Sequence, residues 1–210
     1  RRLIARGQVV AGRCSSSFLA ALGADVIQMA SPKGGDGMRQ WPPLNFSQQK
    51  NNEAYSENFA SVNRNKRSVA LNIKDPSDVS LLKRLISKAT ILIENYRPGV
   101  LKKLGLGYDD LKKINKKLIY CSISGYGQTG PYSDKGAFDV TVLAISGIMS
   151  VTGEKDTSPV KCGVPIGDFC TGLYASYTIM AMLRRVEQSG EGTHIDCSMI
   201  GSLLGISALQ

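Results

Sequence analysis

The sequence predicts an α/β fold: a Rossmann-like, mostly parallel sheet with flanking helices. Three observations carry that expectation. Short runs rich in β-branched residues recur along the chain. Stretches with apolar residues at helical spacing lie between them. Strand and helix therefore alternate, the pattern of crossover units that build parallel sheets. A length of 210 residues allows a core of useful size.

In chain order, the strand-like runs are Asp25–Met29, Ser68–Ile73, Thr90–Glu94, Lys117–Ser124 and Thr193–Cys197. The segment from Ser31 to Phe59 is rich in Gly, Pro, Gln and Asn and predicts a long loop, a kind of segment that is often functional or disordered. Asp75-Pro76 opens a helix, because proline fits the first turn, and Val79, Leu82 and Leu85 or Ile86 then share one face. A longer helix is predicted from about Thr171 to Gln188, with Leu173, Tyr177, Met180 and Leu183 at helical spacing. Ser189-Gly190 closes it, just after Arg184 and Arg185. Parallel sheets bind ligands in the loops beyond the carboxyl ends of their strands. Residues that follow strands are therefore the first candidates for function.

Composition narrows the function classes. An apolar fraction of 42% with 20% charged residues excludes a collagen-like or wholly disordered chain. The longest apolar stretch, Phe138 to Val151, is broken by Asp139, Thr141, Ser146 and Gly147, so no membrane span is predicted. The net charge of +9 points to an anionic partner or to solvated basic faces. The cations are dispersed and no nucleic-acid-binding signature accompanies them, so a phosphate-bearing small ligand ranks above nucleic acid. Five cysteines with no C-x-x-C pair, and a single histidine, give no metal-ligand pattern. They fit a reduced intracellular protein. The chain starts at Arg1 without Met and ends within an apolar segment that includes Leu203, Leu204, Ile206 and Leu209. Both ends therefore read as cut.

Five features are candidates for chemistry. Gly125 to Gly130 matches G-x-G-x-x-G after a strand, but Pro131 follows and no clear helix starts inside the motif. It reads as a structural glycine turn or a loop against another ligand. Asp168, in Pro165 to Gly172, is either a helix N-cap or a carboxylate beside glycines that let a substrate approach. A carboxylate of this second kind can act as a covalent nucleophile. His194, between Thr193 and Ile195, reads as structural, and Cys170 reads as packing. Glu94 to Gly99 closes a strand and enters a turn, where Asn95 and Arg97 are placed to meet phosphate or an adenine edge.

Six blocks together resemble the class III CoA-transferases, also called the CaiB/BaiF family. They are Leu22–Ile27, Ser61–Ser68, Glu94–Val100, Leu104–Tyr108, Tyr120–Pro131 and Gly167-Asp168, in the family's order. Within the family the chain is most similar to the succinyl-CoA:glutarate (hydroxymethylglutarate) branch. The resemblance implies that residues 1–210 are the N-terminal large-domain portion of the fold, with a C-terminal small domain and return segment missing. It implies an enzyme that moves CoA from an acyl-CoA to a carboxylic acid, with succinyl-CoA as the donor and a dicarboxylic acid as the acceptor. Asp168 would be the nucleophile, through an aspartyl anhydride and an aspartyl-CoA thioester.

By position, the implied CoA contacts are Val10 and Ala11 in the Val9–Gly12 stretch, Leu71, Asn72, Ile73 and Lys74 ending a strand, Asn95, Tyr96 and Arg97 after another, Lys103 beyond, and Gly136, Ala137, Phe138 and Asp139 before a helix. Coenzyme A enters as substrate, with no tightly bound cofactor and no metal, and neither nucleic acid nor membrane is a partner. The resemblance further implies an interlocked homodimer at full length, in the mitochondrial matrix of a eukaryote or otherwise in the cytoplasm. The present portion alone is expected to be inactive and poorly stable. Ile4-Ala5-Arg6-Gly7 is a poor match for the family's apolar first strand, and a buried Arg6 would be costly. Arg13 stands where relatives usually have Pro. Gln28, Ala30 and Ser31 also depart from the family pattern, which touches the nucleotide site. The related α-methylacyl-CoA racemases place a histidine near Phe138. Phenylalanine moves no proton, which favours transfer over racemisation.

Overall fold

The computed structural model describes residues 1–7, 10–45 and 55–208. Val9, the middle of the expected 31–59 loop and the terminal Leu209 lie outside the described residues. In chain order the elements are β1 (Arg2–Arg6), α1 (Val10–Ala21), β2 (Asp25–Ala30), β3 (Leu44–Asn45), β4 (Tyr55–Ser56), α2 (Glu57–Ser61), β5 (Lys66–Ala70), α3 (Pro76–Ile86) and β6 (Ile91–Glu94). There follow α4 (Val100–Lys103), α5 (Tyr108–Lys112), β7 (Ile119–Ser124), α6 (Asp139–Ile145), α7 (Ile166–Ser189), β8 (Thr193–Ser198) and α8 (Met199–Ile206).

Six strands form one sheet in the order β5-β2-β1-β6-β7-β8, and every pairing in it is parallel. Side chains alternate across it, as strand geometry requires. Leu3, Ala5, Ile91, Ile93, Ile119 and Ile123 face α1 and α7. Ile4, Leu92 and Tyr120 face the layer that holds Leu82 and Ile86 of α3, Leu101 of α4 and Leu111 of α5. Each fully buried Leu or Ile contributes about 1.5–3 kcal/mol, so both faces of the sheet are anchored.

The expectation of a weak first strand is corrected. β1 is central, with Leu3, Ile4 and Ala5 at most 1% exposed. Only three residues need burial, because the flanking arginines leave the core at the two ends. The Arg2 Nε donates to the Asp25 carboxylate at 3.0 Å. The Arg6 Nε donates to the Tyr96 hydroxyl at 2.6 Å and its Nη1 to the Met29 carbonyl at 3.1 Å. The fifth strand runs Lys66–Ala70 rather than Ser68–Ile73. It is an edge strand with little to bury, and Leu71 turns inward immediately after it. α3 starts as expected: the Asp75 side chain accepts the Ser77 and Asp78 N–H groups, and Pro76 occupies the first turn.

The strand order reverses direction between β1 and β6. Chain segments lead outward from that point to either edge, which opens a crevice at the carboxyl ends of the two strands. Gly7 and Gly12 lie beside it. A Cβ added at Gly7 would lie 3.4 Å from the Asn95 Oδ1, and one at Gly12 would lie 3.6 Å from the Asn95 Cγ. Asn95 thus packs against the turn that follows β1.

Candidate active site

α7 begins at Ile166, five residues before the expected Thr171. The extra turn places Asp168 inside the helix, while Pro165 holds the N-cap position without a side-chain cap. The N-cap reading of Asp168 is thereby excluded. Its carboxylate instead reaches across to the start of α1, where Oδ1 accepts the Ala11 N–H at 3.2 Å. The Asp168 N–H donates to the Asp139 Oδ1 at 3.0 Å, joining the first turns of α6 and α7.

Two glycines make this approach possible. A Cβ at Gly167 would come within 2.9 Å of the Asp139 carboxylate. One at Gly172 would lie 3.0 Å from the Cys14 Cβ and 3.2 Å from the Ala11 carbonyl oxygen. α1 and α7 therefore pack closely enough for Asp168 to meet the N-terminus of α1. Asp168 is only 6% exposed. Burial raises its pKa to about 6, the nearby Asp139 charge adds to the rise, and the Ala11 N–H opposes it. No cation pairs with it among the described residues.

The carboxylate faces a cleft of about 370 Å³. Its walls bring together nine of the predicted residues: Ala11, Asn95, Tyr96, Arg97, Gly136, Ala137, Phe138, Asp139 and Asp168. The loop before α6 fits because two positions lack a side chain. A Cβ at Gly125 would sit 2.2 Å from that of Ala137, and one at Gly136 would sit 2.8 Å from the Arg97 Nη2. Phe138 is 68% exposed, while its backbone N–H donates to the Thr141 hydroxyl at the start of α6.

The remaining predicted residues are not among the walls. Val10 starts α1 but is buried in a small cluster with Cys14, Met38 and Val62. Leu71 is buried beneath the opposite face of the sheet. Asn72, Ile73 and Lys74 form the turn after the edge strand β5, where the Asn72 Oδ1 accepts the Lys74 N–H at 3.1 Å. Lys103 is exposed on α4. Two further wall residues, Lys135 and Met199, lie outside every block singled out in the sequence. Lys135 adjoins the predicted Gly136, so adjacency was the available signal. Met199 opens α8, a helix that was read only as an apolar tail.

The glycine motif is a turn. No helix begins within Gly125–Gly130, Gly127 and Gly130 have positive φ, and the Gln128 N–H is taken by Asp196 at 2.8 Å. His194 lies on β8 and is absent from the walls, stacked on Tyr108 with ring centroids 5.3 Å apart. Burial pushes the thiols of Cys170 and Cys14 upward, the latter to about 12. Neither is a thiolate at neutral pH, and no group of three or more His, Cys, Asp or Glu among the described residues could hold a metal ion. Among the described residues, no helix is long and apolar enough to cross a membrane.

A doubly wound parallel sheet with a buried carboxylate at its switch point defines an α/β protein that binds its ligand at the strand ends. The chain belongs to CoA-transferase family III, whose profile matches residues 1–210. It is 42% identical over 209 residues to a succinate–glutarate CoA-transferase of Agrobacterium fabrum, covering 100% of this chain and 52% of that protein. It is 43% identical to a succinyl-CoA:glutarate CoA-transferase of Mus musculus, covering 96% of this chain and 45% of the relative. A crystal structure of a CaiB/BaiF family protein from Brucella suis superposes with a TM-score of 0.94 at 38% identity, over 100% of this chain and 55% of that one. The chain thus spans about half the length of the relatives it matches.

Proposed function

We propose that the protein acts as an acyl-CoA:carboxylate CoA-transferase with Asp168 as its covalent nucleophile. The observation that carries this reading is the buried Asp168 carboxylate, which faces the cleft and is paired with no cation among the described residues. Such a group is less solvated than in water and keeps an oxygen available for attack.

The hydrogen bonding supports different roles for the two oxygens. Oδ1 is held by the Ala11 N–H, which leaves Oδ2 to attack the acyl-CoA carbonyl. That attack expels the CoA thiolate and forms a mixed anhydride. The thiolate then attacks the Asp168 carbonyl carbon, the donor acid departs with one Asp168 oxygen, and an aspartyl-CoA thioester remains. As that carbon becomes tetrahedral, negative charge collects on an oxygen facing the Ala11 N–H, which stabilises it. The acceptor carboxylate repeats the steps in reverse. Its attack on the thioester gives a new anhydride and frees the thiolate. The thiolate then takes the acceptor's acyl group and leaves Asp168 with one oxygen from the acceptor.

Arg97, at the cleft wall, and Lys74 and Lys103, outside it, supply positive charge for the CoA phosphates. The names of the relatives support succinyl-CoA as donor and a dicarboxylic acid as acceptor. Phe138 has no proton to move, so racemisation is not favoured. The same reading includes an interlocked homodimer and a mitochondrial matrix location in a eukaryotic source. Along α7, Phe169, Leu173, Tyr177 and Met180 are 37–74% exposed, an apolar stripe consistent with cover from further chain.

Turnover with ¹⁸O in the acceptor carboxylate tests the proposal in the protein expressed from its complete reading frame. Mass spectrometry is expected to find the label in Asp168. Unlabelled Asp168 after turnover, or full activity in Asp168→Ala, would overturn it.

A further inference from the structure

A second cavity, of about 380 Å³, shares Arg97 and Pro98 with the first. Its wall includes a chain of polar groups across three adjacent strands. Glu94 and Ser122 are register partners on β6 and β7. The Ser122 Oγ lies 2.9 Å from the His194 Nε2 on β8, and as the register partner of Glu94 Ser122 favours the ionised form of its carboxyl. The other contact of Glu94 leads to the active site: its Oε2 accepts the Tyr96 N–H at 2.8 Å. Tyr96 is thus held from two sides, because Arg6 donates to its hydroxyl. Tyr96 and Arg97 both wall the Asp168 cleft.

A hydroxyl has one proton to give. When Glu94 is ionised, Ser122 donates to it, and the His194 Nε2–H must donate to Ser122. When Glu94 is protonated it donates to Ser122, which then donates to a bare His194 Nε2. The hydrogen-bond direction along the chain therefore follows the state of Glu94. We propose that Glu94, tied through Ser122 to His194, is the positioning residue that holds the Asn95–Tyr96–Arg97 turn at the cleft.

The proposal rests on the CoA-transfer reading for its consequence, but not for its geometry. Burial raises the Glu94 pKa to about 7, and Asp196 adds to the rise, while Ser122 and the Tyr96 N–H oppose it. The His194 pKa is lowered by burial and pushed back by Asp196 and Asp109. The other charged groups on this cavity are Arg97, Lys102 and Asp110, with the Tyr108 and Tyr120 phenols beside them. An ionised acceptor binds an N–H more strongly than a neutral one, so the turn is held most firmly above about pH 7.

NMR on the protein from its complete reading frame tests this without CoA, with Glu94→Gln as the main variant and His194→Gln to assign the imidazole signals. The wild type is expected to change His194 tautomer as pH passes through about 7, and the Tyr96 and Arg97 amide signals are expected to move with it. Glu94→Gln is expected to lose both changes and to raise the KM for acyl-CoA about tenfold, more than it lowers kcat. A purely structural role leaves the pH profile of KM unchanged. A His194 titration in Glu94→Gln identical to wild type, with KM within twofold, would overturn the assignment. Amide signals that follow Glu94 in a protein that binds no CoA would instead remove the CoA-transfer reading and leave the turn assignment standing.

Discussion

Two buried aspartates, Asp36 and Asp168, are almost equally hidden, at 7% and 6% exposure, and their surroundings are opposite. Asp36 takes the Arg13 guanidinium through Nε at 2.7 Å and Nη2 at 2.6 Å, and also the Met38 N–H at 2.9 Å. Asp168 has the Ala11 N–H and a second carboxylate, Asp139, near it. Burial alone therefore does not mark a reactive carboxylate. What separates the two is compensation: two Arg13 guanidinium nitrogens meet the Asp36 Oδ2 in an ion pair that braces α1 against the 37–40 turn, and Asp168 is left with its charge against an open cleft.

The largest effect that would break this contrast is on turnover. Asp168→Asn keeps the shape and an acceptor for the Ala11 N–H but removes the nucleophile. Steady-state assays are expected to show at least about a thousandfold loss of kcat. The corresponding loss at the other site is in stability. Asp36→Ala removes the carboxylate that faces the buried Arg13 charge and is expected to cost about 3–5 kcal/mol, read as an earlier chemical-denaturation midpoint. Similar midpoints for Asp36→Ala and wild type would remove the distinction.

A smaller effect has the opposite sign. The folded-state pKa of Asp168, about 6, lies above its ordinary value of 3.8. Between those values the folded chain keeps a proton that the unfolded chain has lost. Wild-type stability therefore falls as pH rises through that window, and the cost is complete above about pH 6. Asp168→Asn is expected to be more stable than wild type by about 3 kcal/mol at pH 7, with the gain gone near pH 3. Denaturation at both pH values checks it. The smallest effect concerns the shape of the cleft rather than its charge. Gly125→Ala forces the Ala137 loop outward, since the two Cβ atoms would sit 2.2 Å apart. It is expected to cost about 1–2 kcal/mol and to raise the KM for acyl-CoA.

The contrast between the two aspartates also shows where sequence reading stopped. The Asp75-Pro76 helix start and the β2, β6, β7 and β8 strands were legible because their signals are local. β1 was undervalued because its buried run is only Leu3 to Ala5, too short to stand out without the neighbours that cover it. The first turn of α7 was missed because the helix was read from the apolar spacing that starts near Thr171, although a proline suits a helix start and Gly167 makes room for Asp139. Asp36 received no role, since its partner Arg13 lies 23 residues away and nothing local announces the pair. Asp168 was singled out by its glycines and by family resemblance. That no cation pairs with it among the described residues was visible only in three dimensions. The Glu94–Ser122–His194 chain is of the same kind, assembled by register across strands far apart in sequence.

The most direct measurement is chemical trapping at Asp168 in the protein from its complete reading frame. Incubation with acyl-CoA and hydroxylamine, followed by peptide mass spectrometry, is predicted to find the hydroxamate of Asp168 and none at Asp36. Turnover in the presence of hydroxylamine with Asp168 unmodified would contradict the account.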